Sequence, residues 1–193
     1  MSVAKPSRQF VDSNILVYSL DLESGEKSRR ARELLDDLWM QRAGCLSFQV
    51  LQEFFVAVTA RLQVPLSVPE ASRKVANFSE WTLHRPDKTD LLAAIDLHQE
   101  LRISFWDAMI IQSARRLGCR LLWTEDLNNG QTYAGVLVRN PFVELVMDEG
   151  SAYENARDRA LENLKNPPDL GTFGKITWTR DELHDRHPEK KTK

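Results

Sequence analysis

From Phe10 to Arg139 short apolar runs alternate with longer stretches of helical periodicity, and few architectures accept that alternation. Phe10-Val11, Cys45-Leu46-Ser47, residues 78–83, Arg120-Leu121-Leu122-Trp123 and residues 135–139 have the length of strands. The first of them reads as a buried strand that turns at Asp12-Ser13-Asn14. Between them the spacing predicts helices over 26–42, with Ala31, Leu34, Leu35 and Leu38 on one face, and over 48–62, with Leu51, Phe54, Phe55 and Val58. Another starts at Ser67-Val68-Pro69-Glu70, where proline suits a first turn. Two more cover 87–101 and 106–117, the latter closed by Gly118. Parallel strands need helical crossovers and are covered on both faces, so their sequences are apolar throughout. The expectation is therefore an α/β fold of three layers, α/β/α, around a central mostly parallel sheet. After residue 142 the chain turns polar. The expected division is a domain over 1–142 and a helical or irregular extension over 143–193. Within the extension a helix is expected at 151–165, a break at Pro167-Pro168, a short capped segment at 177–186 and a disordered end.

Against this apolar background four acids stand out, each at the edge of a hydrophobic segment: Asp12, Glu53, Asp107 and Asp126. Burying an unpaired carboxylate costs several kcal/mol or drives it neutral. Taken singly, each could be a helix cap or a surface charge, Asp107 most easily. Taken together they suggest a shared counter-ion, a hard divalent cation held by oxygens. In sheets of this kind sites form beyond the carboxyl ends of the strands. Asp12 and Asp126 fall at strand ends, and Glu53 and Asp107 near helix starts. With Mg²⁺ or Mn²⁺ present all four can remain ionised, and Asn14 and Thr124 are natural groups to orient them. Such a centre serves phosphodiester hydrolysis.

The 193 residues suffice for a substantial core, with 42% apolar and 28% charged residues. A net charge of −2 and a pI near 6.1 leave nucleic-acid binding to local basic patches. Cys45 and Cys119, each flanked by apolar residues, are expected as reduced core thiols. No hydrophobic leader opens the chain, and no run approaches the roughly 20 apolar residues of a membrane span, so a cytoplasmic protein with no membrane partner is expected.

The acidic segments also carry a family resemblance. Phe-Val-Asp-Ser-Asn-Ile-Leu-Val-Tyr at 10–18, Leu-Gln-Glu-Phe at 51–54, Phe-Trp-Asp-Ala-Met-Ile at 105–110 and Leu-Trp-Thr-Glu-Asp-Leu at 122–127 resemble the four acidic blocks of PIN-domain ribonucleases. The likeness is greatest to VapC-type toxins of bacterial toxin–antitoxin systems, and it runs in order from about residue 10 to 142. It implies a PIN fold, Mg²⁺ or Mn²⁺ dependence, cleavage of RNA, a homodimer and an antitoxin partner. It places Asp12, Glu53, Asp107 and Asp126 on the family's catalytic, metal-binding acids, with Asn14 and Thr124 on its supporting polar positions. Glu125 competes with Asp126 for the last position, and Asp126 is favoured.

An RNA substrate calls for basic residues around such a pit. Arg29, Arg30, Arg32, Arg61, Arg115 and Arg116 are the candidates, each also readable as a solvated helix face. His84 and His98 lie outside the acidic blocks, and Trp39, Trp81 and Trp106 are expected in the core rather than as stacking platforms. The extension departs from the family pattern. It is either an ordinary appended helix and tail or, from Phe173, Trp178 and Arg180 after a Pro-Pro break, an inhibitory segment resembling the end of an antitoxin. The competing functions are a PIN-like nuclease of RNA processing or DNA repair without an antitoxin, and a non-catalytic interaction protein. A Mg²⁺-dependent phosphatase ranks lower, because Asn14 stands where an Asp-x-Asp loop needs its second aspartate.

Overall fold

The computed structural model describes residues 7–143. Six strands form one sheet in the order β3-β2-β1-β4-β6-β5. They are β1 (Gln9–Val11), β2 (Gly44–Ser47), β3 (Thr82–His84), β4 (Leu121–Trp123), β5 (Thr132–Tyr133) and β6 (Val136–Arg139). All neighbours pair parallel except β5 with β6. The helices are α1 (Ser13–Tyr18), α2 (Glu26–Met40), α3 (Phe48–Ala60), α4 (Val68–Phe78), α5 (Lys88–Leu101) and α6 (Phe105–Arg116), with one 3-10 turn at Leu22–Ser24. The expected α/β architecture with a mostly parallel sheet is the observed one.

The core explains why such short strands persist. Phe10, Val11, Leu46, Leu122 and Val138 from the sheet meet Ile15, Leu16, Phe54, Val58, Ile110 and Ile111 from the helices, all at most 1% exposed or fully buried. Burial of this kind stabilises by about 25 cal/mol for each Å² of apolar surface removed from water. Cys45 and Cys119 are both free thiols within this core, as expected.

Three local expectations need correction. The segment after β1 does not merely turn at Asp12-Ser13-Asn14. Asp12 caps a helix, α1, whose six residues are all buried, so that the chain re-enters the core at once. Phe78 is not in a strand: it ends α4, and β3 begins only at Thr82. Its ring stands edge-on to Phe54 at 5.4 Å and to Trp81 at 6.0 Å, so aromatic packing against α3 outweighs β-propensity there. Finally, β5 is an additional strand of two residues. It reverses into β6 through Ala134-Gly135, both at positive φ, the geometry of a two-residue hairpin turn. The expected helix over 151–165 and the segment over 177–186 lie outside the described residues.

Candidate metal centre

Parallel pairing sets the register that assembles the site. Gln9 and Phe10 pair with Gly44 and Cys45 on one side and with Leu121 and Leu122 on the other. The strands therefore end together, and Asp12, Ser47 and Thr124 follow or close β1, β2 and β4 at one edge. The Asp12 amide donates to the Trp123 carbonyl at 3.0 Å, which holds the first acid beside β4. Glu53 comes from the second turn of α3, a helix capped by Ser47 at the end of β2. Asp107 occupies the third position of α6. The cap of that helix is Ser104, whose hydroxyl accepts from the Asp107 amide at 3.1 Å and donates to its carboxylate at 2.9 Å. Asp107 is thus not the cap that its sequence position allowed.

Hydrogen bonds join these elements into one belt. The Thr124 hydroxyl donates to Asp12 Oδ2 at 2.7 Å and accepts from Asn14 Nδ2 and from the Asp126 amide, both at 3.2 Å. Asp12 Oδ1 accepts from the Ser13 amide at 2.6 Å. The Ser13 hydroxyl lies 3.3 Å from Asp12 Oδ1 and 2.7 Å from Glu53 Oε2, so one hydroxyl hydrogen bridges two carboxylates. Gln49 Nε2 donates to Glu53 Oε1 at 2.7 Å and reaches the Trp106 carbonyl, immediately before Asp107, at 3.4 Å. Asp12, Glu53 and Asp107 are 1, 3 and 8% exposed, which places three of the four acids in the interior, while Asp126 is exposed. Asp12, Glu53, Asn14 and Thr124 thus share one network through their side chains, which the backbone of Asp126 and of Trp106, next to Asp107, joins.

Glu125 faces elsewhere. Its carboxylate accepts from the Tyr18 hydroxyl and pairs with Lys27 Nζ at 2.7 Å. Burial together with the Glu125 carboxylate raises the Tyr18 phenol above its ordinary range and keeps it protonated. Lys27 also lies over the Tyr18 ring at 4.6 Å and the Phe142 ring at 5.2 Å. Ser13, Gln49, Ser104, Tyr18 and Lys27 escaped the sequence reading. Ser13 and Tyr18 left a signal, since both stand in the first acidic block.

Two buried oxygens bear on what the region could hold. Asn14 Oδ1 and Gln49 Oε1 lack a hydrogen-bond partner, although each residue's amide nitrogen is engaged beside an acid. A donor set made wholly of oxygens, with unpaired acceptors inside it, fits a hard divalent cation or its bound waters. Among the described residues no group of three or more His, Cys, Asp or Glu side chains is placed to hold a metal ion; the Ser13 hydroxyl stands between the Asp12 and Glu53 carboxylates.

The proposed basic residues are unequally available. Arg29 is paired with Glu26 and Glu33 on its own helix, and Arg116 Nε is 2.9 Å from Asp90. Arg115 bonds Gln112 at 3.3 Å, and Arg32 bonds Ser28. Arg30 and Arg61 also take part in interactions. The tryptophans divide as well. Trp81 and Trp106 are half-buried, but Trp39 is 46% exposed and does not belong to the core as expected. Phe173, Trp178 and Arg180 lie outside the described residues.

The acids thus stand toward the carboxyl ends of the strands of a parallel α/β sheet, where such folds place their sites. The PIN domain family model matches residues 10–133, and the chain belongs to that family. The fold is also that of solved toxin–antitoxin complexes. A DNA-bound VapBC from Salmonella typhimurium is 17% identical with a TM-score of 0.52, covering 70% of this chain and 99% of that one. VapBC2 from Rickettsia felis, bound to a promoter DNA fragment, is 17% identical with a TM-score of 0.51, covering 68% and 97%. No curated protein matches the chain. Among the described residues no helix is long and apolar enough to cross a membrane.

Proposed function

We propose that this protein is a Mg²⁺- or Mn²⁺-dependent endoribonuclease, the toxin of a toxin–antitoxin pair. The observation that carries the proposal is the belt from Asp126 through Thr124, Asp12, Ser13, Glu53 and Gln49 to the start of α6, which gathers acids 114 positions apart in sequence around unpaired buried oxygens. Asp12, Glu53, Asp107 and Asp126 would hold the cation. When bound, it polarises a phosphoryl oxygen and lowers the pKa of water. The chain's own groups supply orientation. Ser13 and Thr124 fix the two Asp12 oxygens, Gln49 fixes Glu53, and Ser104 fixes Asp107. Burial of three acids keeps bulk water from them and strengthens their field. The membership in the PIN family supports nuclease chemistry, and the VapBC neighbours support an antitoxin partner.

Labelled RNA incubated with the purified protein should be cleaved when Mn²⁺ is added and spared under EDTA. Asp12→Asn keeps the side-chain shape but removes charge, and should lower the rate at least about 100-fold. Cleavage retained in that variant, or in EDTA, would overturn the proposal. Residues 143–193 are proposed as an inhibitory extension acting through Phe173, Trp178 and Arg180. Deleting 144–193 should raise cleavage or toxicity several-fold, and unchanged activity in a folded truncation would discard that role.

A further inference from the structure

At the opposite edge of the sheet, where β2 and β3 begin, a cavity of about 470 Å³ is walled by Trp39 and Trp81. Their rings stand 6.1 Å apart and tilted by 47°, and Trp39 remains 46% exposed. Gly44 makes room for this arrangement, because a Cβ there would fall 2.2 Å from the Trp81 ring. Arg42 and Glu80 line the same cavity. An adjoining cavity shares both tryptophans and adds Lys74, Arg32 and Asp36. Among the described residues Arg42 and Lys74 have no ion pair, whereas Arg29 and Arg116 are neutralised by carboxylates on their own or a neighbouring helix. Arg42 is moreover held at a φ of 52°, a left-handed conformation that glycine adopts far more readily.

We infer that this cleft takes an unstacked base of single-stranded RNA, a second contact remote from the acids. An exposed indole offers a π-face for any base, and unpaired Arg and Lys at the rim offer charge to the flanking phosphates. Glu80 can accept from the exocyclic amine of a seated base. The cleft lies level with Gln9 and Gly44, three residues before Asp12, or about 10 Å along the strands. An RNA must run past the β3 edge to engage both places, so only substrates extending well beyond the scissile bond can use it. The inference rests on the nuclease reading for its choice of RNA.

The test measures binding of a fluorescent single-stranded RNA oligonucleotide to the full chain carrying Asp12→Asn, so that binding is read without turnover. Trp39→Ala should weaken binding roughly ten-fold, and Trp39→Phe should restore most of it. Arg42→Gly should weaken binding, lessen the salt dependence by about 0.7 in the log–log slope and leave the melting temperature equal or higher, since the left-handed strain is relieved. With Asp12 intact, Trp39→Ala should raise KM for long RNA without changing kcat, and leave a minimal substrate unaffected. Unaltered RNA affinity in folded Trp39→Ala overturns the cleft. If the intact protein cleaves nothing with Mn²⁺ while the Trp39 dependence of binding persists, the nuclease reading fails and the cleft stands.

Discussion

A single hydroxyl hydrogen between Asp12 and Glu53 shows how much the site depends on individual donors. Ser13 has one hydroxyl hydrogen for two carboxylates, 2.7 Å from Glu53 and 3.3 Å from Asp12, and its amide serves Asp12 as well. The same economy shapes a second buried acid. Asp90, 1% exposed, gathers Gln112 at 3.1 Å, Arg116 at 2.9 Å and His84 at 3.2 Å, and lies at the third position of α5 behind its cap Asp87. Burial alone would raise its pKa. The Asp87 amide, Gln112 and the charges of His84 and Arg116 outweigh that and bring it below the ordinary carboxylate value. A depressed folded pKa contributes stability above the unfolded value, near 4, and that contribution is lost as pH falls through the folded one. Asp90→Asn should therefore cost about 2 kcal/mol at pH 7 and little once Asp90 is protonated in both states. Urea titrations at pH 7 and at successively lower pH would check this; a loss that stays the same as the pH falls would show that packing, not charge, is the cause.

Elements obey the same logic with larger groups. Two of the helices start on reciprocal capping boxes, Ser67 with Glu70 and Asp87 with Asp90, and both starts were legible because capping is a local code. β3 was misplaced because its neighbourhood is governed by a long-range aromatic chain, Phe54-Phe78-Trp81, that no local propensity contains. β5 was missed because a two-residue strand exists only through its partner β6, and Ala134 is not a residue that announces a hairpin turn. The β2 start is equally constrained. Gly44→Ala would press a methyl into the Trp81 ring and should destabilise by about 1–3 kcal/mol, read as a lower melting temperature with red-shifted tryptophan emission. An unshifted melting curve would mean that Trp81 can swing aside at no cost.

At the scale of the whole molecule, the sheet collects at one edge what the sequence disperses. Side chains from β1, α1, α3, α6 and the loop after β4 meet only when the parallel register is complete, so cation binding and folding should be linked. A ligand that binds the folded state alone adds RT ln(1 + [L]/Kd), about 2.7 kcal/mol at a hundred times Kd. Mn²⁺ should accordingly raise the melting temperature of the intact protein by several degrees and do so far less for Asp12→Asn. Equal shifts in both would place the bound ion elsewhere.

What the sequence determined by itself was whatever short-range physics writes into it. Apolar runs of strand length between helical stripes implied the parallel α/β layers, and charge at the edges of apolar segments marked Asp12, Glu53, Asp107 and Asp126. Tertiary structure decided the rest. Only the register of β1 between β2 and β4 brings Thr124 to Asp12, and only the packing of α1 on α2 and the loop after β4 commits Glu125 to Tyr18 and Lys27 rather than to the acids. Only the packed fold sets Trp39, near the end of α2, beside Trp81 and half in solvent. Local codes act over one helical turn, whereas these contacts join residues up to 112 positions apart, and a hydrogen bond of that span exists only once the chain has closed upon itself.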